Sequence, residues 1–181
     1  MVVVATIGWA TSTSEVRAEE KRLIKFTMED QFTKTYTHKE IVGKLFMLMA
    51  PDKAGSAFNE TWVKGIQKLL TEVEGTEEIQ VVASPQLGNV PLLGRPVVRR
   101  MMPMDKEVRL LLDWEDRFTK YYKLHKGKCN ILIFNKKGVV ILQTAVTKFV
   151  PSQASEIAKV IAKEQKKVKP NPATPKPEKK K

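Results

Sequence analysis

A chain of 181 residues with 42% apolar side chains has enough apolar material for one domain with its own core and short ends. The formal charge is +12, and Lys166–Lys181, with seven lysines and one glutamate, supplies half of it. One cysteine excludes an intramolecular disulfide and a cysteine-based zinc cluster, and two histidines far apart in sequence, His38 and His125, argue against a metal site.

Met1–Ala18 opens with the apolar stretch Val2–Ala10 and ends in Val16-Arg17-Ala18. A stretch of this kind before small residues matches a secretory signal, although the positively charged start of such signals is missing. Export to a periplasmic or secreted location is the expectation; a frayed amino end on a cytoplasmic protein is the alternative. Leu23–Thr27 alternates like a short strand, Glu29–Phe32 is turn-like, and Thr33–Tyr36 is β-prone.

The centre of the chain is Gly43–Phe58. Leu45–Ala50 is an uncharged apolar run, too short to span a membrane, of the kind that forms a strand buried on both faces. Phe58, Trp62, Ile66, Leu69, Leu70 and Val73 follow at spacings of three and four, the stripe of an amphipathic helix. Between strand and helix lies the loop Pro51–Ala57. In many α/β folds that loop carries the chemistry, yet here it holds no cysteine, histidine or glycine-rich cradle. Asn59-Glu60-Thr61 spells a glycosylation sequon on the helix's first turn.

Ile79–Ala83 and Val108–Leu112 read as further buried strands, parallel to the first. Between them, Arg95, Arg99 and Arg100 fit one side of a short helix, as an anion-binding patch or a solvated face. Arg117–Leu124 reads as a short helix with Phe118, Tyr121 and Tyr122 turned inward or partly so. Cys129–Phe134 and Val139–Val146 read as a hairpin around Asn135–Gly138. Pro151-Ser152 opens a last helix with the stripe Ala154, Ile157, Ala158 and Ile161. The domain spans 19–165, and the Lys/Pro-rich tail 166–181 has nothing to bury. That tail fits a soluble spacer, a tether to an anionic surface or a non-specific phosphate contact. It has no aromatic side chain to stack on bases, so no specific nucleic acid is expected.

The order of elements resembles the thioredoxin-like superfamily, in its thiol-peroxidase and membrane-anchored thioredoxin branch. Asp30-Gln31-Phe32 with Lys34 resembles that branch's "DxxGK" turn, Glu40–Lys44 its lead into the central strand, and Leu110–Val139 its strand–Asp–helix–Tyr segment and "LxDxxG" hairpin. Among relatives without redox cysteines, the chain looks most like the YtfJ-type periplasmic proteins. The resemblance implies an α/β fold: a central mixed sheet flanked by helices, closing in a β-hairpin and helix. It also places the redox Cys-x-x-Cys on Gly55, Ser56, Ala57 and Phe58, and the cis-proline position on Cys129. Both motif cysteines are absent, so the thiolate needed for exchange is missing.

What the resemblance implies is a non-catalytic module, without a cofactor, that binds a peptide or protein partner in the groove beside Cys129. A single-cysteine thiol oxidoreductase or peroxidase built on Cys129 is the alternative. A lone cysteine is also commonly a small buried apolar residue. Ser56 has no evident base to make it a nucleophile. Asp52 and Asp113 end neighbouring strands, where they either contact a cation or polar ligand or cap the next helix.

Overall fold

The computed structural model describes residues 20–104 and 109–168. The candidate signal segment and residues 169–181 of the tail lie outside the described residues. No helix among the described residues is long and apolar enough to cross a membrane.

β3 (Phe46–Met49) is the middle of the molecule, and every one of its residues is buried. It pairs in parallel with β4 (Gln80–Ala83) and antiparallel with β5 (Cys129–Phe134), which pairs with β6 (Val140–Val146). The four-stranded sheet thus has the order β4-β3-β5-β6. Because side chains alternate along a strand, β3 and β5 feed two cores. Met47, Met49, Cys129, Ile131 and Ile133 face α1 (Asn59–Thr71) and α4 (Pro151–Val168), packing with Trp62, Ile66, Leu70, Ala154, Ile157 and Ile161. Phe46, Leu48, Leu132 and Phe134 face the other way, toward Phe26, Tyr36, Phe118 and Tyr122. On that face the Phe46 and Phe134 rings stack 4.7 Å apart.

The α1–α4 layer is fastened at defined points. Trp62 Nε1 donates to the Thr147 carbonyl at 2.8 Å, and its ring meets Phe149 edge-on. Phe149 lies over Gly65, where a Cβ would come within 2.3 Å of the ring. Gln67 exchanges two hydrogen bonds with the Ile79 backbone, 2.8 and 3.0 Å, which sets α1 against the start of β4.

The opposite layer begins with the hairpin β1 (Thr27–Glu29) and β2 (Thr35–Thr37). The expected strand Leu23–Thr27 therefore starts only at its last residue. Upstream, the backbone bonds go to the far hairpin and to a side chain: Leu23 N–H to the Gly138 carbonyl, and Ile24 N–H to the Tyr122 hydroxyl at 3.1 Å. That hydroxyl donates in turn to the Arg22 carbonyl. The turn is built on Asp30, whose Oδ1 accepts from Phe32 N–H and Lys34 N–H at 2.8 and 2.9 Å. Thr33 stands where the "DxxGK" pattern has glycine and takes φ 69°, which moves the β-prone run into strand only at Thr35.

Two further expectations are corrected. Leu110–Leu112 is buried and runs parallel to β4, touching it at Ala83↔Leu110, but it is not a strand. Leu111 N–H bonds to the Ala83 carbonyl, whereas Leu110 N–H goes to the Gln31 side chain and Leu112 N–H to Glu29, so no ladder continues. Val108 lies outside the described residues. Lys166–Val168 belongs to α4 rather than the tail, with Lys167 paired to Glu164 at 2.8 Å.

Ile66→Ala empties space between α1 and the sheet and should cost about 2–5 kcal/mol, read from urea midpoints. Leu93→Ala, at a side chain 92% exposed, should stay within about 0.5 kcal/mol of the natural chain.

Candidate functional site

The loop after β3 and the loop before β5 meet at one end of the sheet, because the two strands are antiparallel. Their contact is backbone on backbone. A Cβ added to Gly55 would lie 2.1 Å from the Lys128 carbonyl oxygen and 2.9 Å from the Cys129 nitrogen. Gly55–Phe58 forms a short 3-10 turn that runs directly into α1. The structure therefore brings Gly55 and Cys129 together. The Lys128–Cys129 peptide is trans.

Asp52 fastens the contact. Its Oδ1 accepts from Gly55 N–H at 2.8 Å and its Oδ2 from Gly127 N–H at 2.7 Å, one carboxylate holding both loops. Asn130 reinforces it from beneath. It is buried in an otherwise apolar strand, accepts from His125 N–H at 2.8 Å, and donates to the Ala50 and His125 carbonyls at 3.1 and 2.9 Å. Sequence reasoning passed over Asn130; its signal was one amide inside CNILIF.

Cys129 is fully buried in the core beneath α1 and α4, and burial pushes its thiol up to about 12. That burial disfavours the thiolate, the nucleophilic form, at neutral pH. Phe58 packs inward against the same core, while Ser56 and Ala57 are exposed. The Ser56 hydroxyl donates to the Lys53 carbonyl at 2.8 Å.

Asp113 sits apart from this contact. It is buried and accepts from Arg117 and Phe118 N–H groups, both at 2.9 Å, at the start of α3 (Arg117–Tyr122). Burial raises its carboxyl above the usual range, against those two hydrogen bonds, which lower it. Both candidate aspartates thus spend their oxygens on backbone donors. Of the arginines on α2 (Arg95–Arg100), Arg95 lies over the Trp114 ring, Arg99 pairs with Glu29 and Arg100 is exposed, so they form no common anion cradle. Tyr121 is half exposed, and Phe118 and Tyr122 are buried. Among the described residues, no group of three or more His, Cys, Asp or Glu side chains is placed to hold a metal ion.

A mixed four-stranded sheet flanked by helices, ending in the strand β6 and the helix α4, is a thioredoxin-like α/β arrangement. The comparison with solved structures agrees. A protein described as the thiol:disulfide interchange protein DsbE of Chlorobium tepidum superposes with a TM-score of 0.57 at 13% identity, covering 81% of this chain and 96% of its own. The exposed lipoprotein thioredoxin of Streptococcus pneumoniae gives 0.52 at 14% identity, covering 75% and 98%. Arabidopsis thaliana ScoI, solved with copper bound, gives 0.53 at 13% identity, covering 77% and 97%. No family model and no curated protein matches the sequence. The chain has the thioredoxin-like fold. The likeness is one of fold, and it does not extend to the narrower YtfJ-type resemblance.

Two outcomes follow from this geometry. Restoring the motif as Gly55→Cys with Phe58→Cys should not create a disulfide reductase, because a Cβ at position 55 overlaps the Lys128 carbonyl. The double variant should lose about 1–3 kcal/mol of stability, and an insulin-reduction assay should show no turnover for it or for the natural chain. Turnover by the double variant would show that the loops part easily. The second outcome concerns Asp113. Its folded carboxyl holds a proton at pH values where the unfolded one, near about 3.9, has lost it. The native state then binds more protons, so its stability falls as pH rises through that window and levels off above it. Urea midpoints over a pH series should show this decline relative to Asp113→Asn; a rise would contradict the burial argument.

Proposed function

We propose that the chain is an exported, non-catalytic thioredoxin-fold module that binds an acidic peptide segment of a partner protein, over the contact between Ala54–Phe58 and His125–Lys128. Export rests on the apolar, small-residue pattern of Met1–Ala18. The observation that carries the binding reading is electrostatic. Asp52 is committed to Gly55 and Gly127, while Lys53, Lys126 and Lys128, all exposed, flank that contact with no acidic partner among the described residues. From Arg117 to Asn130 the chain has five lysines and arginines and no acid. A site with no thiolate and a fixed positive rim suits recognition of carboxylates rather than exchange. The buried thiol speaks against the single-cysteine enzyme.

A peptide array of acidic and neutral sequences tests this, with the full-length chain and its Lys53→Glu/Lys126→Glu/Lys128→Glu variant. Acidic peptides should be preferred, and the variant should lose about tenfold or more of their binding while its melting temperature holds. Unchanged binding in the variant would sink the reading.

A further inference from the structure

A hollow of about 350 Å³ opens on the layer opposite α1 and α4, where the open end of the β1–β2 hairpin meets the start of α3. That volume is at the small end of the range for ligand sites, about 300–1,000 Å³. Lys25, Lys39 and Arg117 line it together with His38, Thr27 and Thr37, and no aspartate or glutamate does. Phe26, itself buried, supplies the apolar wall. Backbone pairing brings these groups to one place. Thr27 and Thr37 are partners across the hairpin, so their side chains share a face. His38 N–H donates to the Phe26 carbonyl at 3.2 Å, and the two rings meet edge-on. His38 Nδ1 is buried and has no hydrogen-bond partner. A buried nitrogen left in that state costs free energy that an added group can recover.

The acids of the adjoining segments are engaged with backbone. Glu40 accepts from Thr37 N–H at 2.6 Å, Asp113 from the Arg117 and Phe118 N–H groups, and Asp116 from Gly88 N–H. Glu115 does meet a lining cation, Arg117, at 2.7 Å. Lys25 and Lys39 are exposed and have no ion pair among the described residues. The hollow therefore holds an excess of positive charge after that pairing. A phosphate monoester carries about −1.5 to −2 charges at neutral pH and three strong acceptor oxygens. Three cations from two segments, with two hydroxyls between them, match it better than they match a single carboxylate.

We propose that this hollow binds a small phosphate monoester, with its phosphate among Lys25, Lys39 and Arg117 and its ester group against Phe26. Lys53, Lys126 and Lys128 do not line it, so the site is separate from the acidic-peptide surface and stands without it.

The chain has two histidines, so its imaginable reporters are His38 at the site and His125 away from it. The test follows their imidazole proton signals by NMR while the full-length chain is titrated with glycerol phosphate at fixed pH. The His38 signals should shift and saturate while those of His125 stay in place. Lys25→Ala/Lys39→Ala should weaken binding by about tenfold or more. Glu115→Gln, which frees Arg117, should strengthen it by about two- to fivefold. All three positions are exposed, so the melting temperature should be retained. Lys53→Glu/Lys126→Glu/Lys128→Glu should leave the His38 titration in place. Inorganic phosphate should bind more weakly, because it leaves the Phe26 wall uncovered; equal binding would remove the ester from the proposal and overturn it as stated. A shift that sodium chloride reproduces at matched ionic strength marks an adventitious ion only and overturns it, as does unchanged affinity in Lys25→Ala/Lys39→Ala.

Discussion

The closeness of Gly55 to the Lys128–Cys129 peptide is the constraint on which the site depends. Backbone meets backbone there, with no room for a side chain. It requires glycine at 55, fixes the start of α1 against the start of β5, and turns the Cys129 side chain down into the core. It also explains why the cysteine is buried. A residue whose backbone lines the contact has its side chain on the α1–α4 face, among Met49, Trp62 and Ile131. In that setting a thiol is a small apolar group, and its raised pKa follows from desolvation alone.

The contact is held by polar groups that are nearly all spoken for. Asp52 satisfies one amide from each loop, and Asn130 engages four backbone groups from within the sheet. Such a network is expensive to leave half made. Replacing a single member exposes several orphans at once, which makes the arrangement rigid. Rigidity suits a surface that presents fixed charges, since little ordering has to accompany binding.

Much of this fold was legible in the sequence because β3 and β5 are continuous apolar runs bounded by turn residues, and α1 has a clear stripe through Trp62, Ile66 and Leu70. The exceptions share a cause. Leu110–Leu112 has the composition of a strand, but its amides are divided between β4, the Gln31 side chain and Glu29, and composition does not report partners. Thr33 adopts a backbone conformation that its side chain disfavours, so the turn extends past Phe32 and β2 starts at Thr35 rather than Thr33. At the site, the pairing of position 55 with position 129 came from the resemblance. Strand-end position marks Asp52 as a capping residue or a ligand, and its bridge to Gly127 depends on the three-dimensional contact.

Several loops emerge where β3 and β4 finish and β5 begins, and their charges are treated differently according to sign. Three carboxylates there are turned to the backbone, Asp52 to Gly55 and Gly127, Asp113 to Arg117 and Phe118, and Asp116 to Gly88 at 2.8 Å, while the exposed Glu115 pairs with the Arg117 side chain. The cations Lys53, Lys126 and Lys128 are turned to water. The protein thus uses its acids as internal fasteners, where fixed N–H donors offset their desolvation. Of the charged side chains left facing solvent at this end, Lys53, Lys126 and Lys128 carry no acidic partner among the described residues. Folding, by spending Asp52, Asp113 and Asp116 on backbone donors, leaves Lys53, Lys126 and Lys128 exposed at this end of the sheet.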